Sequence, residues 1–407
     1  MKEYFKIAWR NLWRNKRRTL LTIASVLFAL LLALIVRSMH LGTWNKMIES
    51  TIKSTTGYIQ VHQEGYWEDK TLDNSFETSS NLEQKYRSHP NVTYIVPKLE
   101  SFALLSSGNQ TKGAALTGVD PDVEDLVSGL QKKIIAGKYF TTDDKFIILT
   151  EGLANYLKLT VGDTVVILGQ GYHGVTAAAA LPIGGIVKFT QPDMNNLLTY
   201  VPLSLAQEIY SAPGRLTSIS FILNDPEDLD RTRNDLAALG PQNLEVMPWK
   251  DLLTELVQSF EGDNVSGLFM LGILYLVVGF GILGTILMTT MERKREFGIM
   301  TAVGMRRYKL SIIIVIETLI ISFIGILSGV ILSLPVIYYF HLNPLPLKGE
   351  AADAMAEYNM DPVMPFLLEP GFIINQSMVV MIISMLTLLY PLVVINRFKI
   401  INAIKGR

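Results

Sequence analysis

The side chains able to carry chemistry are few in this 407-residue chain, and they are scattered. There is no cysteine, which removes disulfides, thiolate metal sites and cysteine nucleophiles. His40, His62, His89, His173 and His341 never fall into an H-x-x-x-H pair, so no zinc helix is encoded. No G-x-x-x-x-G-K-[ST] loop is present to cradle a nucleotide phosphate, and no G-x-S-x-G turn to expose a nucleophilic serine. Two features remain, and both are electrostatic. Glu317 is a lone acid inside a long apolar run, a functional candidate by its cost, with pairing to an arginine of a neighbouring helix as the structural alternative. The stretch Glu292-Arg293-Lys294-Arg295-Glu296-Phe297 mixes charge with an apolar stripe over Phe297, Met300 and Val303 and closes on Gly304.

The elements that hold these residues are membrane helices. Hydrophobic residues make up 49% of the chain and mean hydropathy is +0.30, yet 18% of residues are charged, a mixture expected of several spans plus a water-soluble domain. A bilayer core of about 30 Å needs roughly 20 apolar residues in a helix. Residues 19–36, 267–290, 310–340 and 372–395 satisfy this, and only the third contains a charge, Glu317. The first lacks a small-x-small cleavage site, so it reads as an uncleaved anchor.

Orientation follows from the basic residues near the span ends. Lys2, Lys6, Arg10, Arg14, Lys16, Arg17 and Arg18 precede the first span. Arg293, Lys294, Arg295, Arg306, Arg307 and Lys309 lie in the 291–309 loop, and Arg397, Lys399, Lys405 and Arg407 in the 396–407 tail. Residues 41–265 instead carry a net charge of −11, and the 341–371 loop sets Lys348 against Glu350, Asp353, Glu357, Asp361 and Glu369. The segments 1–18, 291–309 and 396–407 are therefore expected in the cytoplasm, with both termini there, and 37–266 and 341–371 outside.

The outer domain shows short runs rich in Val, Ile, Tyr and Phe, bounded by turn residues. Strands are predicted at 58–62, 92–97, 102–106, 114–119, 146–149, 164–168, 185–189, 198–201 and 218–223, and helices at 82–88, 152–157, 203–211 and 226–239. The pattern is α+β, with a split into two lobes predicted near 125–215. Two amphipathic roots join it to the membrane, one over Trp44, Met47, Ile48, Thr51 and Ile52, the other over Leu252, Leu253, Leu256, Val257 and Phe260. Each reads as a helical stalk able to carry motion. The fold class is thus membrane α-helical, four transmembrane helices with a large α+β extracytoplasmic domain.

Two inner segments carry the partner signal. In residues 5–18, Ile7, Trp9 and Trp13 share an apolar face while basic residues line the other, as in a helix lying on the inner leaflet. Residues 291–309 read as a short separate helix, ended by Gly304, whose exposed stripe docks a soluble partner.

The residues Trp9-Arg10-Asn11-Leu12-Trp13-Arg14-Asn15-Lys16-Arg17-Arg18, and Glu292 to Gly304 with Phe297-Gly298-Ile299 and Ala302-Val303-Gly304, closely resemble the permease subunits of the FtsX-like/MacB-like ABC transporter superfamily. One span, a large outer domain and an FtsX-like region over 267–407 match its layout, with 37–266 as a MacB-like core domain. Gly118-Val119-Asp120-Pro121 and Leu157-Lys158-Leu159-Thr160-Val161-Gly162-Asp163-Thr164 look like the outer domain of its lipoprotein-releasing branch, the LolC/LolE type. Thr301 departs from the pattern, since members often carry Arg or Lys there.

The resemblance implies a permease subunit without a nucleotide site of its own, with no cofactor bound by this chain. ATP and Mg would be held by a separate ABC ATPase subunit gripping Glu292, Arg293, Lys294, Arg295, Glu296, Phe297, Met300, Val303 and Gly304. A second permease subunit, identical or related, completes the unit, and the stalks pass the motion outward (mechanotransmission). Lipoprotein cargo from the inner membrane and a periplasmic carrier follow from the branch. The carrier contact is expected at Gly171, Tyr172, His173 and Val175, in a long segment of small residues over 169–185 that matches the projecting hairpin one member of such a pair presents, with a mobile loop as the alternative. Three alternatives compete: macrolide or peptide efflux with an outer-membrane channel, in a branch that commonly fuses its ATPase to the permease; control of cell-wall hydrolases, where the outer domain is usually smaller; and, in another class, a membrane receptor or scaffold.

Overall fold

The computed structural model describes residues 2–14, 16–189, 192–350, 352 and 363–397. Asn15, Asp353, Glu357, Asp361, Lys399, Lys405 and Arg407, used above, lie outside the described residues. The chain divides into one unit of Met1–Lys46, Ser259–Pro346 and Met364–Arg407 and another of Met47–Gln258 and Leu347–Val363.

The first unit is a helical bundle. Its four spanning helices are Lys16–Ser54, Thr254–Ala302, Arg307–Leu342 and Pro370–Arg397, each long and apolar enough to cross a membrane. The last was expected unbroken but consists of Pro370–Thr387 and Leu389–Arg397. Pro391 is the cause: it has no N–H for the Thr387 carbonyl, and its ring crowds that carbonyl. The bundle core is Val26, Leu30 and Leu34 from the first spanning helix, Ile282 from the second, Ile337 from the third, and Phe372 and Val380 from the fourth. Phe269, Met270, Val277 and Phe280 of the second face outward, as a lipid solvent allows. First and third helices meet through Gly325 and Gly329, spaced as in G-x-x-x-G. A Cβ on Gly325 would stand 2.7 Å from Val26 Cβ, and one on Gly329 3.1 Å from the Leu27 carbonyl oxygen.

Polar contacts lace the first and second helices beyond their apolar stretches. Asp263 accepts from Trp44 Nε1 and sits 2.7 Å from His40 Nε2, while Arg37 Nη2 donates to Asn264 Oδ1 at 2.7 Å. Trp44 meets Phe260 edge to face at 5.3 Å. The first predicted root is helical throughout, since its helix runs unbroken to Ser54. The second is interrupted: Leu253 leaves helical backbone angles between the short Trp249–Leu252 helix and Thr254.

The second unit is built on one mixed sheet. Its strands are β1 (Ile59–Gln63), β3 (Val92–Ser107), β4 (Gln110–Val119), β5 (Ile134–Gly137), β6 (Ile147–Thr150), β7 (Thr164–Gln170), β8 (Thr176–Val187), β9 (Leu198–Pro202), β11 (Ser218–Leu223) and β12 (Leu244–Pro248). The short β2 (Phe76–Glu77) and β10 (Arg215–Leu216) pair separately. The order is β12-β1-β11-β3-β4-β9-β6-β8-β5, with β7 bridging β3 and β8. The two strands predicted at 92–97 and 102–106 are one, because Lys98–Ser101 continues the pairing with β4 without a break. Two cores flank this strand. Ile59, Ile95, Tyr86, Phe221 and Leu236 form one, and Leu105, Leu116, Leu149, Ile167 and Val201 the other. A third core of Val119, Phe140, Ile148, Phe189 and Tyr200 lies on the same sheet, so the expected two lobes are instead three cores on a shared sheet. Buried Lys98 fixes the end of the first long helix: its Nζ donates to the Thr55 carbonyl at 3.1 Å and lies 3.8 Å from buried Glu124. A cation suits a helix C-terminus.

His62 on β1 is fully buried beside Tyr66 and Trp67, and neither ring nitrogen has a hydrogen-bond partner. Burial pushes its pKa down to about 4. The folded chain therefore holds His62 neutral while the unfolded chain protonates it near pH 6.5. Stability is complete above about pH 6.5 and declines as the pH falls toward 4, by about 3 kcal/mol for this group. Thermal unfolding of the full chain from pH 7.5 to 4.5 should show a steeper loss than the His62→Phe variant. Equal slopes would remove His62 as a cause.

Candidate functional site

The functional candidates of the bundle gather at the end of the second spanning helix. Residues 291–302 form no separate helix. They are the last turns of Thr254–Ala302, a 49-residue helix, which corrects the expected independent element at 291–309. The uninterrupted i→i−4 ladder explains this, since no Gly–Pro break stands between Thr290 and Glu292. The helix stops where expected. Gly304 takes φ +104°, Gly304 N donates to the Thr301 carbonyl at 3.1 Å and Met305 N to the Met300 carbonyl at 3.0 Å. This is a Schellman cap, and Met300 and Met305 pack against the same apolar cluster, as the motif favours. The third spanning helix starts at Arg307.

The docking stripe is rotated relative to the expectation. Phe297 is 1% exposed and packs with Leu310, Ile314, Leu388 and Ile395. Arg293 is buried and Met300 partly so. Phe297 and Arg293 therefore serve the protein's own interior and are corrected as docking residues, while Met300 packs partly against the same cluster. Their helix face meets the third and fourth spanning helices, a tertiary contact that periodicity alone does not reveal. The face turned outward carries Arg295, Ile299, Ala302 and Val303, at helical spacing, with Ile299 47% and Val303 85% exposed. Glu292 and Gly304 are also exposed, and Lys294 and Glu296 half-buried.

Glu317 is paired. Arg293 Nη1 and Nη2 donate to its two oxygens at 2.5 and 3.2 Å, a two-point grip, and both side chains are buried. Asn11 Nδ2 of the Lys2–Arg14 helix donates to Glu317 Oε1 at 2.7 Å. Two further pairs reach the same helix end: Arg14 of the N-terminal helix with Glu296 at 2.6 Å, and Arg18 of the first spanning helix with Glu292. Ala8 and Leu12 of the N-terminal helix are buried in the bundle, while Ile7, Trp9 and Trp13 stay exposed, the face expected on the lipid. A cavity of about 70 Å³ lies beside the cluster, lined by Thr22, Thr289, Thr290, Arg293, Glu317 and Thr318 among others. Sequence reading found Glu317 and Arg293 but missed Asn11. The signal was available: Asn11 falls on the Ala8–Leu12 face, opposite the tryptophans.

The carrier-contact candidates in the second unit are differently placed. The segment 169–185, the candidate for a projecting hairpin, is part of one: β7 and β8 pair from Thr164–Pro182 to Gln170–Thr176, leaving only Gly171–Val175 as the turn. Ala177–Ala180 carry little strand signal because they are small, but they pair with Gly169, Leu168, Ile167 and Val166. Gly171 is buried and Tyr172 N donates to the Tyr210 carbonyl at 2.9 Å. The Tyr172 ring lies under Arg215, whose guanidinium is 4.1 Å from the ring centroid, and His173 N donates to Asp73 Oδ1 at 2.8 Å. Gly171 and Tyr172 are thereby corrected to internal contacts. His173 and Val175 are exposed. The segments likened to the lipoprotein-releasing branch are structural devices. Asp120 caps the Pro121–Ser128 helix, and Asp163 accepts from Thr160 N and Oγ1, which holds its carboxyl below the usual range. Among the described residues no three His, Asp or Glu side chains converge as metal ligands.

Comparison with known proteins fits this layout. Residues 268–400 match the FtsX-like permease C-terminal family and residues 19–239 the MacB-like periplasmic core domain. A macrolide export ATP-binding/permease protein MacB from Aggregatibacter actinomycetemcomitans is 22% identical over 349 residues, 81% of this chain and 52% of that protein. A lipoprotein-releasing system transmembrane protein LolC from Xylella fastidiosa is 24% identical over 250 residues, 60% of each chain. The periplasmic region of MacB from Actinobacillus actinomycetemcomitans superimposes with a TM-score of 0.36 at 16% identity, covering 49% of this chain and 92% of that one. The chain spans only about half to three fifths of the length of the curated relatives it matches. With the two family matches running from the first spanning helix to the last, the chain belongs to the family that joins a MacB-like periplasmic core domain to an FtsX-like permease region.

Proposed function

We propose that this chain is a permease subunit of an ATP-driven ABC transporter, worked by a separate ATPase that docks on the end of the second spanning helix. The observation that carries the reading is the outward stripe Arg295-Ile299-Ala302-Val303 on a helix end held by buried Phe297 and Arg293. A mobile loop would dissipate a push, whereas a capped helix continuous to Thr254 carries it along its axis. Both termini and the 291–309 segment lie in the cytoplasm of a bacterial inner-membrane protein on this reading, and residues 37–266 outside. The nucleotide and its magnesium belong to the partner, and a second permease subunit completes the transporter.

The cargo we assign is a lipoprotein extracted from the inner membrane and passed to a periplasmic carrier. The resemblance to the lipoprotein-releasing branch supports this, as does the likeness to LolC. His173 and Val175 are the remaining hairpin candidates for the carrier.

Affinity purification of the full chain from its host membranes tests the docking. An ATP-hydrolysing subunit should accompany the parent chain, and its recovery should fall at least tenfold with Val303→Asp while the chain stays folded. Equal recovery would move docking away from this stripe. Depletion of the chain tests the cargo: lipoproteins should be stranded in the inner membrane. Normal lipoprotein distribution with increased macrolide sensitivity would replace that cargo by efflux.

A further inference from the structure

We infer that Glu317 is a positioning residue that makes the N-terminal helix part of the moving body, so that a displacement of the ATPase-docking helix end is shared by three helices at once. This rests on the docking reading above and extends it to residues that touch no partner.

The geometry centres on one carboxylate. Glu317 on the third spanning helix accepts three N–H donors, two from Arg293 on the second and one from Asn11 on the N-terminal helix. A single side chain thereby joins all three elements. A helix lying on the leaflet needs no such bond, since exposed Trp9 and Trp13 suffice to hold it at the interface. The bond instead fixes which way the helix faces and what it follows. Arg14–Glu296 repeats the linkage between the N-terminal helix and the same helix end, and Arg18–Glu292 ties the start of the first spanning helix to it. These outer pairs are exposed, where ion pairs hold weakly and are screened. The buried cluster is the part that resists separation, because parting Arg293 from Glu317 leaves a charge unpaired in an apolar interior.

The cluster also has room to shift as a body. The adjoining cavity is lined by Thr22, Thr289, Thr290 and Thr318 together with apolar side chains such as Val26, Ile282 and Ile321, so the cluster borders empty space on one side. A close-packed apolar contact at this place would not slide without opening a void. A polar hub beside such a space can shift with its partners without opening a new void.

The experiment exploits the absence of native cysteine. Arg14→Cys with Glu296→Cys puts one thiol on each of the two elements whose long side chains meet at their tips, a separation that a short bismaleimide bridges and a disulfide does not. In the detergent-solubilised full chain, the bismaleimide should join them in most molecules. Adding Asn11→Ala, which leaves the Arg293–Glu317 pair intact, should lower the yield about threefold, and adding Glu317→Gln about fivefold or more. In cysteine-free chains with the purified ATPase, Asn11→Ala should retain ATPase capture but lose most cargo release. Exchanging the pair (Arg293→Glu with Glu317→Arg) should recover part of the crosslinking in its cysteine background, which a general loss of folding would not allow. Parental crosslinking and parental transport in Asn11→Ala would overturn the inference. If the parent chain captures no ATPase, the docking reading fails, while the crosslinking series still decides whether Glu317 positions the N-terminal helix.

Discussion

Phe297→Asp should abolish accumulation of the folded chain, whereas Ile299→Asp, two residues away, should leave it folded and lose only the partner. The two positions differ in surroundings. Phe297 is 1% exposed against Leu310, Ile314, Leu388 and Ile395, and its ring stacks near the Arg293 guanidinium at 5.3 Å. Truncating such a ring costs about 3–5 kcal/mol. A carboxylate in its place adds the penalty of an uncompensated buried charge, or forces the carboxyl to stay protonated. Together these equal much of the 5–15 kcal/mol that typically holds a soluble domain together. Ile299 is 47% exposed on the opposite side of the helix, so its replacement disturbs little inside. Thermal aggregation and gel filtration in mild detergent read the first effect, and recovery of the ATPase reads the second. A stable Phe297→Asp chain that had merely lost its partner would restore Phe297 as a docking residue.

Gly325→Leu should separate the first and third spanning helices. A bare Cβ at this place already stands 2.7 Å from Val26 Cβ and 3.1 Å from the Ile23 carbonyl oxygen, closer than packed atoms approach. Even Ala must push a neighbour aside, at about 1–3 kcal/mol as for other overpacked sites. Leu adds three more carbons with no space to receive them. Without a hydrophobic drive between helices in lipid, close packing is the main attraction, so losing it is not made up elsewhere. Gly329→Leu should follow the same course, with 3.2 Å to Leu30 Cβ. Residues such as Gly281 and Gly284, which face open space, serve as controls expected to tolerate Ala. The ladder Gly284→Ala, Gly325→Ala, Gly325→Leu should descend in melting temperature in that order.

Much of this architecture was legible before any coordinates. The four apolar runs, the strands around Ile59, Ile148 and Ile219, and the end of the second long helix at Gly304 each follow from local chemistry. Length of apolar run, β-branched clusters and a glycine able to take positive φ are properties of neighbouring residues. What stayed hidden depends on distant partners. The side of the Glu292–Ala302 segment that is buried is decided by helices whose nearest contact residues lie about ten to one hundred positions on, so Phe297 looked as available as Val303. Lys98–Ser101 looked like a break between strands because a lysine, a glutamate and a serine seldom fill a strand interior. Burial of Lys98 against the Thr55 carbonyl and Glu124 supplies the reason they do. The Gly325–Gly329 spacing was readable as a packing motif, and Asn11 as the polar member of a buried face. Both were obscured by the stronger signals of hydropathy and charge around them.

One strand shapes how the outer domain must behave. β3 is 16 residues long, and it pairs with β11 through Tyr94–Lys98, with β4 from Lys98 onward and with β7 over Ala103–Ser106. A plank nailed to both halves of a floor leaves no seam at which the floor can fold. The two cores along it cannot open like jaws unless backbone ladders on β3 are torn. Any motion of this domain that spares those ladders must therefore carry the plate as one body, and a protease should find no cleavable joint in its middle.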